Sequence, residues 1–91
     1  MKHLPAGLDH YKSTPVFDQD TVPAGLRRAH STAAGVWGRI VVHEGSLRYV
    51  IEAPEAEEHV LAPGTPGIVE PGVPHHVDIA GPVRFCVEFH R

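Results

Sequence analysis

Six short runs rich in Val, Ile, Phe and Leu follow one another at near-even spacing over residues 36–42, 47–51, 59–61, 67–69, 75–79 and 83–89. Gly, Pro and charged residues punctuate the gaps between them. Each run is too short for a useful helix, and no stretch sustains a 3.6-residue apolar period. The pattern predicts an all-β chain, a sandwich or barrel of antiparallel strands with little or no helix. Ninety-one residues hold one domain of this kind. Its core is thin for its surface, so pairing with a second copy is expected.

Alternation within the runs assigns faces. Val36, Ile40 and Val42 share one side, with Trp37, Arg39 and His43 on the other. Val77 and Ile79 follow His75 on one face, while His76 and Asp78 take the opposite one. Val83, Phe85, Val87 and Phe89 oppose Arg84, Cys86, Glu88 and His90. A period of two marks half-buried antiparallel strands. Glu44-Gly45 predicts a tight hairpin, because Gly adopts positive φ without cost, and Gly81-Pro82 predicts a second turn. The stretch 54–58, PEAEE, reads as an acidic solvated loop. Pro-Ala-Gly-Leu occurs at 5–8 and again at 23–26 with unlike flanks, which is two turns and no repeat. Residues 1–13 carry few apolar anchors and are expected as an arm that pairs with a neighbour's edge strand, ahead of a domain spanning 14–91.

Charge and cysteine content narrow the function. Eight Lys and Arg against 11 Asp and Glu give a net charge of −3, which argues against nucleic acid or anionic membrane as a partner. No run is long and apolar enough to span a bilayer, and no export signal is evident at the start. One cysteine makes no internal disulfide, so the cytoplasm is the expected compartment. Histidine is unusually frequent, with eight in the chain.

One ordered pattern stands in the second half. From Gly64, five residues lead to Glu70, followed by Pro71, Gly72, Val73, Pro74 and His75, or G-x5-E-x-G-x2-H. A Gly turn admits a strand, a Pro/Gly turn re-aims the chain, and a histidine opens the next strand among aliphatics. Such an imidazole is well placed to hold a metal. His30 is the second candidate ligand, Glu70 and Glu88 are the carboxylate candidates, and the Thr32 hydroxyl can add to a bound water. Arg39 either pairs with a surface carboxylate or presents its fork to an anionic ligand. His76, His43, His59 and His90 read as solvated, Cys86 as a small buried residue, and Trp37 as a packing or dimer-contact aromatic.

The spacing resembles the second motif of the cupins, in which proline usually holds the position of Glu70. Measured from Gly45 as the hairpin glycine of the first motif, His30 stands at the first-histidine position. Thr32 replaces the second histidine, and Gly38 lies near the glutamate's place. Tyr11-Lys12-Ser13-Thr14-Pro15-Val16-Phe17, Thr21-Val22-Pro23-Ala24-Gly25-Leu26, Gly35-Val36-Trp37-Gly38-Arg39 and Arg84-Phe85-Cys86-Val87-Glu88-Phe89 together resemble the TehB/YeaR-like family of small cupins. The resemblance implies a double-stranded β-helix, a conical barrel binding a divalent transition metal (Zn, Fe, Ni or Mn), and an association with tellurite resistance or stress response. Methyltransferase chemistry found alongside such domains does not transfer, because the chain lacks a Gly-rich nucleotide loop. Three functions stay open on sequence: a binder of metal and a small-molecule or oxyanion ligand, a metal-dependent oxygenase, isomerase or hydrolase, and a metal-free homodimeric interaction module.

Overall fold

The computed structural model describes residues 1–91 and contains eight strands with no α-helix. They are β1 (His10–Ser13), β2 (Phe17–Asp18), β3 (Trp37–Gly45), β4 (Leu47–Ile51), β5 (Glu57–Leu61), β6 (Gly67–Val69), β7 (His75–Asp78) and β8 (Val83–His90). One 3-10 turn, Ala24–Arg27, is the only helical element. All strand pairs are antiparallel. One sheet runs β1-β8-β3-β6 with β2 also on β8, and the other runs β5-β4-β7. No helix is long and apolar enough to cross a membrane.

The two inner faces make a single core. Ile40, Val42, Val69, Val83 and Phe85 come from the first sheet, and Leu47, Tyr49, Ile51, Leu61 and Val77 from the second. Strand alternation selects them: β3 buries Gly38, Ile40 and Val42 while Trp37, Arg39 and Val41 stay less covered. Removing each large apolar side chain from water contributes about 1.5–3 kcal/mol, which makes this shared layer the main force holding the sheets together. Tyr49 is fully buried, and its hydroxyl donates to the Ile68 carbonyl at 2.9 Å, so its polar tip is satisfied.

The strand order corrects several sequence expectations. Glu44-Gly45 does not close a hairpin, because β3 pairs with β6 and β8 while β4 belongs to the other sheet. Gly45 does adopt positive φ, +74°, and marks where the chain changes sheets. A Cβ there would run into the Pro82 carbonyl, so close backbone approach adds to the demand for glycine. Residues 10–13, expected in an arm reaching a neighbour, lie as β1 on the chain's own β8. The acidic stretch is a loop only in part: Glu57 and Glu58 enter β5, and Glu58 pairs with Arg48. His59 and His90 are part-buried rather than solvated. The first contacts Glu57 at 3.1 Å and the second stacks on His10 with ring centroids 5.0 Å apart. His43 is exposed, although its Nε2 lies 3.6 Å from the Sγ of buried Cys86.

Candidate functional site

A cavity of about 310 Å³ opens between the sheets. Sixteen residues line it, ten of them hydrophobic, and His30 and His75 supply its two imidazoles. They meet because the chain makes an isolated antiparallel bridge at this pair. The His30 amide donates to the His75 carbonyl at 3.0 Å, and the His75 amide donates back at 2.9 Å. Directly opposed residues of an antiparallel ladder put their side chains on one face. The ring centroids accordingly stand 4.1 Å apart, inclined by 56°.

Both rings are held in the same way. The Nδ1 of His30 lies 3.0 Å from the Arg28 carbonyl, and the Nδ1 of His75 lies 2.9 Å from the Val73 carbonyl. A carbonyl oxygen only accepts, so each Nδ1 carries the hydrogen and donates it. In the neutral imidazole this leaves a lone pair on each Nε2. Neither Nε2 has a hydrogen-bond partner, and no sealed side-chain nitrogen or oxygen in the protein lacks one, so neither Nε2 is sealed off. Pinning one ring nitrogen on a carbonyl while the other faces open space is how metal-binding histidines are oriented.

His75 is only 4% exposed, and its ring meets Tyr49 edge-on at 5.8 Å. Burial pushes its pKa below the ordinary histidine value, and proximity to His30 and His76 lowers it further. The Val73 carbonyl and Glu52 act in the opposite sense. Neutral imidazole is therefore the favoured state at neutral pH.

Around this pair the other candidates divide. Thr32 lines the cavity, and its hydroxyl donates to the Val36 carbonyl at 2.7 Å while its own carbonyl accepts from Gly72 at 3.3 Å. Neither carboxylate reaches the cavity. Val69 faces inward and lines it, so Glu70, the next residue, turns outward and pairs with Lys2 at 3.0 Å. Glu88 alternates with Phe85, Val87 and Phe89, all three of which line the cavity, and it contacts His90 at 3.3 Å on the other face. Arg39 stands in register with Glu88 and does not line the cavity. No group of three or more His, Cys, Asp or Glu is arranged to hold a metal. His76, expected to be solvated, is part-buried on the face away from the cavity, contacting Glu52 at 3.0 Å and Asp78 at 3.5 Å.

Sequence reasoning did not find the contribution of the N-terminal strand. Tyr11, Lys12 and Thr14 line the cavity, and Leu26 of the 3-10 turn joins them. Their positions follow from β1 lying on β8, with Lys12 in register with Phe89. The signal available was the Lys12-Ser13-Thr14 alternation before Pro15, too short to identify a face by itself.

The chain has recognisable relatives. A family model described as the TehB-like domain matches residues 12–87. The Haemophilus influenzae protein TehB, named a probable S-adenosyl-L-methionine-dependent methyltransferase, is 31% identical over 72 residues, which are 75% of this chain and 25% of that protein. The uncharacterised Escherichia coli K12 protein YeaR is 32% identical over 75 residues, 79% of this chain and 60% of YeaR. The chain thus spans a quarter of one relative and three-fifths of the other. Among solved structures, an E. coli K12 protein studied as a structural-genomics target superposes with a TM-score of 0.88 at 24% identity, covering 100% of this chain and 97% of that one. The crystal structure of H. influenzae TehB gives a TM-score of 0.80 at 28% identity over 91% of this chain and 31% of its own.

Proposed function

The chain belongs to the TehB-like domain family, and from that premise we propose that it is a cupin-type barrel holding a divalent transition metal through Nε2 of His30 and His75. Water and a small-molecule ligand take the remaining positions. The cupin assignment is supported by two antiparallel sheets between which the chain passes repeatedly, with a cavity opening between them. The observation that supports the metal reading is the paired Nδ1–carbonyl contact, which leaves a free Nε2 on each of two rings whose centroids stand 4.1 Å apart.

The donor set fits an exchangeable ion better than a permanent one. Catalytic zinc sites usually draw three ligands from the protein, and here the chain offers two. Imidazole without carboxylate favours Zn, Fe or Ni over Mn. When bound, such an ion polarises an oxygen ligand placed at an open position. Binding is proposed ahead of turnover, because no carboxylate lines the cavity to serve as acid or base and the Thr32 hydroxyl is committed to Val36. The methyltransferase activity in TehB's name belongs to that longer protein and is not carried over. A role in tellurite or other stress tolerance, in a reducing compartment that suits the lone Cys86 thiol, is proposed on the family resemblance.

Calorimetric titration of untagged, chelator-treated protein with Zn2+ and Ni2+ tests the site. His30→Ala and His75→Ala are expected to abolish saturable binding, and His76→Ala to leave it nearly intact. Equal binding by all three variants, each folded by circular dichroism, refutes the assignment.

A further inference from the structure

The walls of the cavity say more than its two imidazoles. Its polar groups are few, and none is acidic: no Asp or Glu stands among the sixteen lining residues. Lys12 is the sole Lys or Arg among them. It is exposed on β1 and forms no ion pair, as Arg27, Arg28, Arg39 and Arg91 also do not, but it alone among the unpaired cations lines the cavity. Its register with Phe89, whose ring also lines the cavity, sets it on the inward side of the sheet edge. Thr14, two residues along the same edge, shares a shallow surface hollow with His30, so this edge and the histidine pair flank one side of the barrel.

A cavity whose lining includes one lysine, two imidazoles and mainly aliphatic and aromatic side chains has a definite complement. An organic cation would meet both Lys12 and the proposed metal ion, with no carboxylate among the lining residues to offset the repulsion. A strongly polar ligand would leave its groups unpaired against Val36, Ile40, Val69 and Val77. Resting on the reading of His30 and His75 as the metal-binding pole, we propose that the cavity takes a compact monocarboxylate with an apolar body. A volume of about 310 Å³ lies at the small end of small-molecule sites and suits on the order of ten non-hydrogen atoms. The body packs on the Val and Phe side chains, and the carboxylate is met by Lys12 and by the open metal positions.

Three probes of one shape and different charge test the assignment: benzoate, benzamide and benzamidine, titrated calorimetrically into zinc-loaded and metal-free protein. Benzoate is expected to bind tightest and benzamidine weakest, with benzoate affinity falling as salt is added. Replacing Lys12→Met keeps the stem and removes the charge, and should weaken benzoate about five-fold, the size of one exposed ion pair, while leaving benzamide unchanged. Lys12→Glu should weaken benzoate further. Benzamide binding as tightly as benzoate to both forms, or Lys12→Glu retaining wild-type benzoate affinity, overturns the proposal. The metal reading fails separately: should zinc not bind while metal-free protein keeps the charge order and the Lys12 dependence, the anion assignment stands without it.

Discussion

Thr32→His is the most informative single change, because it restores an imidazole where the cupin-like spacing places one and the structure states what it costs. Thr32 lines the cavity two residues beyond His30, and its hydroxyl donates to the Val36 carbonyl at 2.7 Å. Losing that bond costs about 1 kcal/mol. In a domain of this size such a loss lowers Tm by roughly 4–8 °C, so the metal-free variant melts earlier than wild type. Zinc reverses the order. An ion at a hundred times its dissociation constant stabilises the folded state by about 2.7 kcal/mol, and each further tenfold tightening adds about 1.4 kcal/mol at the same zinc concentration. A third imidazole that tightens binding at least tenfold therefore offsets the lost hydroxyl bond. The zinc-loaded variant should melt at or above zinc-loaded wild type. The assay is thermal unfolding with and without zinc, repeated in a His30→Ala background to remove contributions from other histidines. A variant that melts as expected without metal, yet gains no more from zinc than wild type, refutes the proposal that His30 and His75 hold an ion in the cavity that Thr32 lines.

Other outcomes follow from single contacts. Tyr49→Phe keeps the ring against His75 and removes the hydroxyl bond to the Ile68 carbonyl, so chemical denaturation should report a loss of about 1–2 kcal/mol with zinc affinity unchanged. Gly67→Ala places a Cβ 2.7 Å from Leu61 Cδ1 and 3.1 Å from Tyr49 Cδ2, both in the fully buried layer. Overpacking there should cost about 1–3 kcal/mol by the same assay. Metal-free protein should lose stability as pH falls below 6.5, the ordinary histidine value, toward the lowered pKa of folded His75. In that window the unfolded chain binds the proton and the folded one resists it, so stability rises with pH. Urea midpoints between pH 7.5 and 5 read this, and His75→Phe should flatten the slope. Bound metal should also leave as pH drops below roughly 6, since a protonated ring cannot coordinate; full occupancy at pH 4.5 counts against histidine ligation.

Much of this was legible in the chain itself. The strand runs, the absence of a long helix and the inward faces of β3, β7 and β8 all follow from alternation, which is a local steric property of an extended backbone. So does the separation of His75 from His76, and of Glu88 from Phe85 and Phe89. Alternation alone does not say whether Glu88 reaches a cavity. Its face is set opposite the phenylalanines by alternation, but only the packed sheets reveal that the phenylalanine side is the cavity side. Glu70 fails for the same reason, since Val69 takes the inward position.

Pairing is where local reading ends. The positive φ of Gly45 was expected, but whether the chain folds back on itself there or passes to another sheet depends on which strands β3 meets far along the sequence. Likewise nothing near Lys12 announces a cavity wall; β8, more than seventy residues away, decides it. His30 and His75 each carry a carbonyl contact two residues back, a feature built within one segment, yet their meeting at 4.1 Å is made by a single bridge between distant segments. The sequence by itself determined which way each side chain faces along its strand, because that repeats every two residues. Only the tertiary structure decided which of those faces enclose a space and which imidazoles share it, because strand partnership is settled by the burial of the whole core.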